Sequence, residues 1–304
     1  MSILSEASTG GENAKASATV SEPTSSSQPN ESQPIELGTV QQTLLTPLFA
    51  RAREWNRPDA IVRDAKATEL VSRLDYDFST IATFSDTLTG GAIRAAILDR
   101  WVQEFLGRHP RGTVVLVGEG LDTTFDRNDN GQASWLEIDY PDVIAMRRQV
   151  FDRHPRRKQV GGSVFKPEWA EQIDHSGEDV LIQIAGVTMY LEPERVRELF
   201  VRLADTFPGC TVLFDTCSTL GKSNADRWEA TVKTTGAEYR FGIDDPRTIA
   251  DWDDRLVVTD CLSLMDHHRH RWTKKVRMLT TFWKRLRNSY LVSRAQFGKA
   301  RPES

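Results

Sequence analysis

Gly118 and Gly120 stand one residue apart in the run VLVGEGLDTTFDR, directly after five consecutive apolar or β-branched residues. Glycine lets the backbone turn sharply and lets a ligand approach it closely, where a Cβ would stand in the way. Asp139 follows 21 residues after Gly118, near the ~20-residue spacing that brings an acidic side chain to ribose hydroxyls in nucleotide-binding α/β folds. Together they point to a ligand that contains adenosine. Plainer alternatives stand beside both. Tight turns after strands often carry glycine for local reasons, and Asp139 ahead of Pro141 suits a helix N-cap.

The rest of the turn discriminates between adenosine cofactors. A dinucleotide fingerprint has a third glycine, so that a helix N-terminus can face a pyrophosphate. Here that position is Thr123, preceded by Asp122, whose carboxylate would repel a phosphate. S-adenosylmethionine has no phosphate, and its sulfonium and amino groups suit nearby carboxylates. The turn therefore favours methyl transfer over hydride transfer, with an NAD(P)-dependent oxidoreductase as the weaker alternative. No metal is indicated. Cys210, Cys217 and Cys261 are widely spaced, form no C-x-x-C pair and have no histidine at ligand spacing, so buried free thiols in a reducing compartment are expected.

These residues need elements to hold them. Thr113–Val117, Ser134–Ile138, Asp179–Ile184 and Thr211–Asp215 read as strands, with a weaker one near Gln159–Val164. Continuous apolar runs of this kind suit strands buried on both faces of a parallel sheet. Helices are expected between them over Asp142–Phe151 and Glu194–Thr206, each with a proline at its start. Ahead of the strands, amphipathic helices are expected from Val40 to Trp55, over Asp64–Leu74 and over Ala92–Leu106. After them come a helix over Ala225–Thr234, a short run Glu238–Ile243, a turn and helix over Asp245–Trp252, a strand near Leu256–Leu264, a basic helix over Thr273–Arg287 and a last strand Ser289–Phe297. Strands alternating with helices indicate an α/β fold with a doubly wound, mostly parallel sheet.

The chain has 304 residues, 39% of them hydrophobic and 27% charged, enough apolar material for a globular core. Residues 1–34 contain nine serines and no aromatic residue, too little to offset the entropy of ordering. Residues 1–38 are thus expected to be a disordered Ser-rich tail, and 39–304 one catalytic domain. No stretch approaches the ~18 apolar residues of a membrane span, and the N-terminus lacks the basic and apolar regions of a signal peptide. A cytoplasmic protein with no membrane partner is expected. The formal net charge of -4 conceals eleven Lys/Arg and no acid between His267 and Arg301. Interleaved Trp272 and Trp283 invite a nucleic-acid reading. Val276, Leu279, Trp283 and Leu286 recur at helical spacing, however, so an amphipathic helix packing its apolar face is preferred and no nucleic-acid partner is expected.

The run VVLVGEGLDTTFDRNDNGQASWLEIDYPDVIAMRRQVF resembles the leucine carboxyl methyltransferase family, and more specifically its polyketide-synthesis O-methyltransferase branch, through G-x-G-L-D-T, W-x-E-x-D-x-P and I-x-x-R-R. GAIRAAILDRW, GVTMYLEPE, LFDT, FGIDDPR and NSYLVSRAQFG extend the likeness over most of the chain from about residue 40. The resemblance implies a Rossmann-like seven-stranded sheet, its last strand antiparallel, under an N-terminal helical cover. It also implies S-adenosylmethionine as cofactor. Arg94 would pair with the cofactor's carboxylate, a task that suits guanidinium. Gly118 and Gly120 would back its methionine moiety and Asp139 would hold its ribose, with Asp122, Ser163 and Val164 also at the cofactor. Departures accompany the match: Thr124 replaces the usual arginine of D-T-R, Ala185 a glutamate, and Lys166 an aspartate, while Ser163 and Val164 stand where an acidic residue is frequent. If each lost charged hydrogen bond costs about 1.5–3 kcal/mol, cofactor binding weakens, and a cofactor-binding pseudoenzyme becomes an alternative.

The expected acceptor is the carboxylate or acidic hydroxyl of a small, polyketide-like molecule. A carboxylate is ionised at neutral pH and needs no base, whereas a phenol benefits from one. No base is evident in the sequence, since His109, His175, His267, His268 and His270 fall in loops or at helix ends. Tyr190 and Asp215, near the ends of the fourth and fifth strands, are the candidates for lining the acceptor pocket. Oligomeric state is not readable.

Overall fold

The computed structural model describes residues 44–174 and 179–298. The expected tail over residues 1–38, the domain start at residue 39 and His175 lie outside the described residues. Helices α1 (Leu45–Ala52), α2 (Ala65–Arg73) and α3 (Ser85–Arg108) precede strand β1 (Thr113–Val117), followed by α4 (Thr124–Asn128), β2 (Ser134–Asp139), α5 (Pro141–Val150) and β3 (Arg157–Gly161). Then come β4 (Val180–Ile184), α6 (Pro193–Thr206), β5 (Thr211–Cys217), β6 (Leu256–Ser263), α7 (Lys274–Phe282) and β7 (Tyr290–Phe297). The seven strands lie in the order β3-β2-β1-β4-β5-β7-β6. Pairings from β3 to β5 are parallel, and β7 runs antiparallel between β5 and β6.

β1, β4 and β5 are buried along their whole length, as strands covered on both faces must be. Val196, Leu199, Phe200 and Leu203 of α6 pack on one face of the sheet. Ile93, Ile97, Trp101 and Phe105 of α3 pack on the other against Val114, Leu116, Leu181 and Leu213. α1 and α2 form a third cluster with Leu121, Val143 and Met146, over the rim beyond β1 and β2. β1 pairs with β2 on one side and β4 on the other, so the chain reverses direction of winding there. The crevice beyond the strand ends at such a switch point is where open α/β sheets bind ligands.

Four elements differ from the sequence expectation. α3 begins seven residues earlier than Ala92, running through Gly90 and Gly91. A Cβ on Gly91 would lie 3.0 Å from the Cβ of Ala50, and one on Gly90 3.3 Å from the Trp272 ring. These glycines therefore mark close helix packing rather than a break. β3 sits at Arg157–Gly161, leaving Ser163 and Val164 in the loop beyond it. The expected helix over Ala225–Thr234 is two short pieces, Ala225–Trp228 and Ala230–Thr235, parted at Glu229. The basic helix likewise stops at Phe282 and resumes over Lys284–Arg287. Its apolar face is only partly covered, with Phe282 87% and Trp283 48% exposed.

Among the described residues, no helix is long and apolar enough to cross a membrane. Nor does any group of three or more His, Cys, Asp or Glu there stand ready to hold a metal ion. The three cysteines are free.

Candidate active site

The turn after β1 takes both its glycines into the left-handed region, Gly118 at φ +66° and Gly120 at φ +53°. The close approach they permit is made by the protein itself. A Cβ on Gly118 would fall 2.4 Å from Val187 of the loop after β4, and one on Gly120 2.5 Å from Leu44, just ahead of α1. Arg147 fixes the turn from behind, donating to the carbonyls of Gly120 (2.7 Å) and Asp122 (3.0 Å). Its guanidinium also pairs with Glu137, and both side chains are fully buried. The W-x-E and R-R motifs are thereby parts of one brace.

Asp139 ends β2 at the same rim. Its Oδ2 accepts from the Gly120 amide at 2.8 Å and its Oδ1 from the Tyr140 amide at 2.7 Å. The helix α5 has Tyr140 as its N-cap residue and no side-chain cap, so Asp139 is not spent on helix entry. Burial raises its pKa, and the two amides only partly offset this. Each carboxylate oxygen keeps a lone pair for a further donor, which fits the hydroxyls of a ribose.

Asp122 has other partners. Its carboxylate meets Arg51 at 3.0 Å and Arg127 at 3.2 Å. Burial opposes its charge, but the two guanidiniums outweigh it and hold its pKa well below the usual carboxylate range. Arg127 further takes Asp99 and Asp64, and Arg51 takes Asp64. Asp122, expected at the cofactor, has Arg51 and Arg127 as its protein counter-ions. Asp122 also accepts from the Thr123 amide at 2.6 Å, which occupies the helix start where a pyrophosphate would need free amides. Thr124, in place of the motif's arginine, donates to Asp122 at 2.9 Å.

Across the crevice, Arg94 of α3 donates from Nη1 to Asp215 Oδ2 at 2.7 Å and to the Tyr290 hydroxyl at 3.2 Å. Tyr290 in turn donates to Asp215 at 2.6 Å, and the Gly186 amide donates to the other oxygen at 2.8 Å. Antiparallel pairing places Tyr290 opposite Cys217, which brings its ring to the C-terminal ends of β4 and β5. Burial works against the Arg94 charge, yet Tyr290 and Asp215 hold its pKa above the ordinary value. Nε and Nη2 of Arg94 have no hydrogen-bond partner among the described residues, a free edge that fits a carboxylate.

Tyr190 lies beyond β4 in edge-to-face contact with Tyr239, centroids 5.3 Å apart. Burial pushes its hydroxyl well above the ordinary value. Glu229, at the break between the two short helices, is within electrostatic reach of Arg94, Tyr190, Tyr239, Tyr290 and Cys217. Burial raises its pKa to about 7, with Arg94 offsetting part of the effect. Ser163 and Val164 sit in the loop after β3. The Val164 carbonyl accepts from Trp169 at 3.0 Å and its side chain packs on the core, while Ala185 packs on the opposite face of the sheet and Lys166 is exposed.

The structure thus brings Arg94, Asp215, Tyr190 and the Gly118–Gly120 turn to one crevice, with Asp139 at its β2 side. Glu229, Tyr239 and Tyr290 join them without having been singled out by the sequence. Tyr290 lies inside the NSYLVSRAQFG match, but nothing in the sequence marks Glu229, which a continuous helix would hide among solvated charges.

The chain is similar to known methyltransferases. The family model for leucine carboxyl methyltransferase matches residues 45–204. The tetracenomycin polyketide synthesis O-methyltransferase TcmP of Streptomyces glaucescens is 32% identical over 233 residues, covering 76% of this chain and 86% of that one. The S-adenosyl-L-methionine-dependent methyltransferase dpfgK of Gibberella zeae is 26% identical over 238 residues, 71% of this chain and 79% of that one. The fold is shared with a Thermobifida fusca crystal structure at a TM-score of 0.58 and 14% identity, over 89% of this chain and 97% of that one. With its G-x-G turn, its Glu137–Arg147 brace and more than half its length matched, the chain belongs to the leucine carboxyl methyltransferase family.

Proposed function

We propose that the protein is an S-adenosylmethionine-dependent O-methyltransferase that esterifies or etherifies a carboxylate or acidic hydroxyl of a small, polyketide-like molecule. The observation that carries the cofactor assignment is the pair of open valences on opposite sides of the crevice. Asp139 offers carboxylate lone pairs for a ribose, and Arg94 a free guanidinium edge for an amino-acid carboxylate. S-adenosylmethionine supplies an electrophilic methyl group. The residues of this chain bind, orient and keep the reacting atoms dry, so that the acceptor oxygen lies in line with the bond to be broken. The names of TcmP and dpfgK support the polyketide-like acceptor class and the cofactor.

Two measurements test this reading. S-adenosylmethionine titrated into the pure protein by calorimetry is expected to bind, more weakly than a full set of acidic contacts would give. Labelled methyl is then expected to pass to members of a panel of aromatic carboxylic acids and acidic phenols. Binding without transfer to any acceptor would leave a pseudoenzyme, and no heat up to millimolar ligand would overturn the cofactor assignment.

A further inference from the structure

Helix α7 is built the reverse of an ordinary surface helix. Thr280 is buried, its hydroxyl donating to the Val276 carbonyl at 2.8 Å, whereas Met278 is 58% and Phe282 87% exposed. Trp283, in an extended conformation, ends the helix and stands half-exposed at the corner before the second piece, Lys284–Arg287. Three of the six large apolar side chains exposed among the described residues thus lie within residues 278–283. The fold holds them there. The Thr273 amide and hydroxyl donate to Asp86 of α3 at 2.9 and 2.8 Å. Arg269 donates to the Arg277 carbonyl at 3.2 Å and to the Thr281 hydroxyl at 2.7 Å, and Val276 packs on the cluster that α3 forms with the sheet.

The charges around these side chains are of one sign. Lys274 and Lys275 are exposed and lie at i, i+4 and i, i+3 spacing from Met278, on the face that also carries Phe282. Arg277 flanks that face, and Lys284 and Arg285 follow Trp283. Among the described residues none of these five cations pairs with a carboxylate, while Arg271 and Arg287 are neutralised by Glu54 and Asp266. A second copy of this chain, meeting the same patch across a two-fold axis, would set five like charges against five. A nucleic acid would want ring faces lining a basic groove, but Met278 and Phe282 project from the convex side of a helix, and a thioether has no stacking face. An anionic bilayer satisfies both features: apolar tips enter among the acyl chains, while lysine stems lie along hydrocarbon with their ammonium groups at the headgroup phosphates. We propose that α7 and the turn after it dock the protein on an anionic phospholipid surface, with Phe282 and Trp283 inserted and the five unpaired cations at the headgroups. The expectation of no membrane partner rested on the absence of a span, and lying on a surface asks for a different pattern.

Sedimentation of the full-length protein with sucrose-loaded vesicles tests the docking independently of any methyl transfer. The protein is expected to sediment with phosphatidylcholine vesicles that contain about 30% phosphatidylglycerol and to stay in solution with phosphatidylcholine alone. Raising the salt to about 0.5 M is expected to release it. Lys274→Gln with Lys275→Gln is expected to weaken partitioning about fivefold per cation, and Phe282→Ser about tenfold. These positions are exposed, so the urea midpoints are expected to stay at the wild-type value. Trp283→Phe is expected to bind like wild type while losing most of the blue shift in tryptophan emission that accompanies binding. Equal binding to the two kinds of vesicle, no binding to the anionic ones, or binding untouched by the lysine and Phe282 substitutions would each overturn the proposal. So would a patch that takes up single-stranded oligothymidylate and not the anionic vesicles, or a dimer seen by light scattering that Phe282→Ser dissociates while vesicles leave it unbound.

Discussion

At the scale of single residues, the glycines of the β1 turn show what close packing adds to backbone conformation. Gly118 and Gly131 both adopt positive φ, +66° and +78°, but a Cβ on Gly118 meets Val187 at 2.4 Å whereas one on Gly131 meets nothing within 4 Å. Gly131→Ala is expected to cost about 1–2 kcal/mol, the conformational term alone. Gly118→Ala is expected to cost more, because Val187 and its loop must also shift, and to weaken S-adenosylhomocysteine binding. Urea unfolding of the two variants side by side checks this, and equal losses would show that the loop yields freely. At this scale the sequence was informative about type and silent about partner. Gly118 lies in the turn after β1, Asp139 at the end of β2 and Arg94 on α3. That Asp122 is held by Arg51 and Arg127, 71 and 5 residues away in sequence, depends on tertiary packing that no local pattern carries.

The helices and strands divide along the same physical line. TVVLV, VLIQI and TVLFDTC are buried on both faces, so their apolar runs announce them. α3 hides its first turns because Gly90 and Gly91 imitate a loop. Three glycines in that helix separate propensity from packing. Gly107 has nothing within 4 Å of an added Cβ, while Gly91 would meet Ala50 at 3.0 Å. Gly107→Ala is expected to stabilise by about 0.5–1 kcal/mol through helix propensity. Gly91→Ala is expected to forfeit that gain by pushing α1 away, with a net loss measured as a lower urea midpoint. A gain for Gly91→Ala would mean that α1 and α3 are less tightly joined than their contact implies. The breaks at Glu229 and Trp283 were illegible for the opposite reason: neither is marked by a glycine or proline. At Glu229 that interruption leaves the residue half-buried between the two short helices.

Across the whole molecule, one set of ion pairs joins the helical cover to the sheet. Arg51 of α1, Asp64 at the cap of α2, Asp99 of α3, Asp122 of the β1 turn and Arg127 of α4 meet within it. Asp64 also caps α2, accepting from the Ala67 amide at 2.8 Å. Because the folded pKa of Asp122 lies below its unfolded value near ~3.9, its contribution to stability is complete above that value and is lost as pH falls toward the folded one. Asp122→Asn, which removes one carboxylate partner from each of Arg51 and Arg127, is expected to cost about 2–4 kcal/mol at pH 7. The gap to wild type is expected to narrow by pH 3. Urea denaturation at the two pH values measures it, and a gap independent of pH would show that packing, not charge, is what the substitution removes. The same network bears on how this chain can drift over generations. Two arginines serve three carboxylates, so losing either arginine strands buried carboxylates whereas losing one carboxylate leaves the charges matched, and changes at the arginines must arrive in compensating sets. Thr124 adds to the same shell: its hydroxyl donates to Asp122 at 2.9 Å beside Arg51 and Arg127, so part of the load on that carboxylate is carried by a neutral group that can change without altering the charge count.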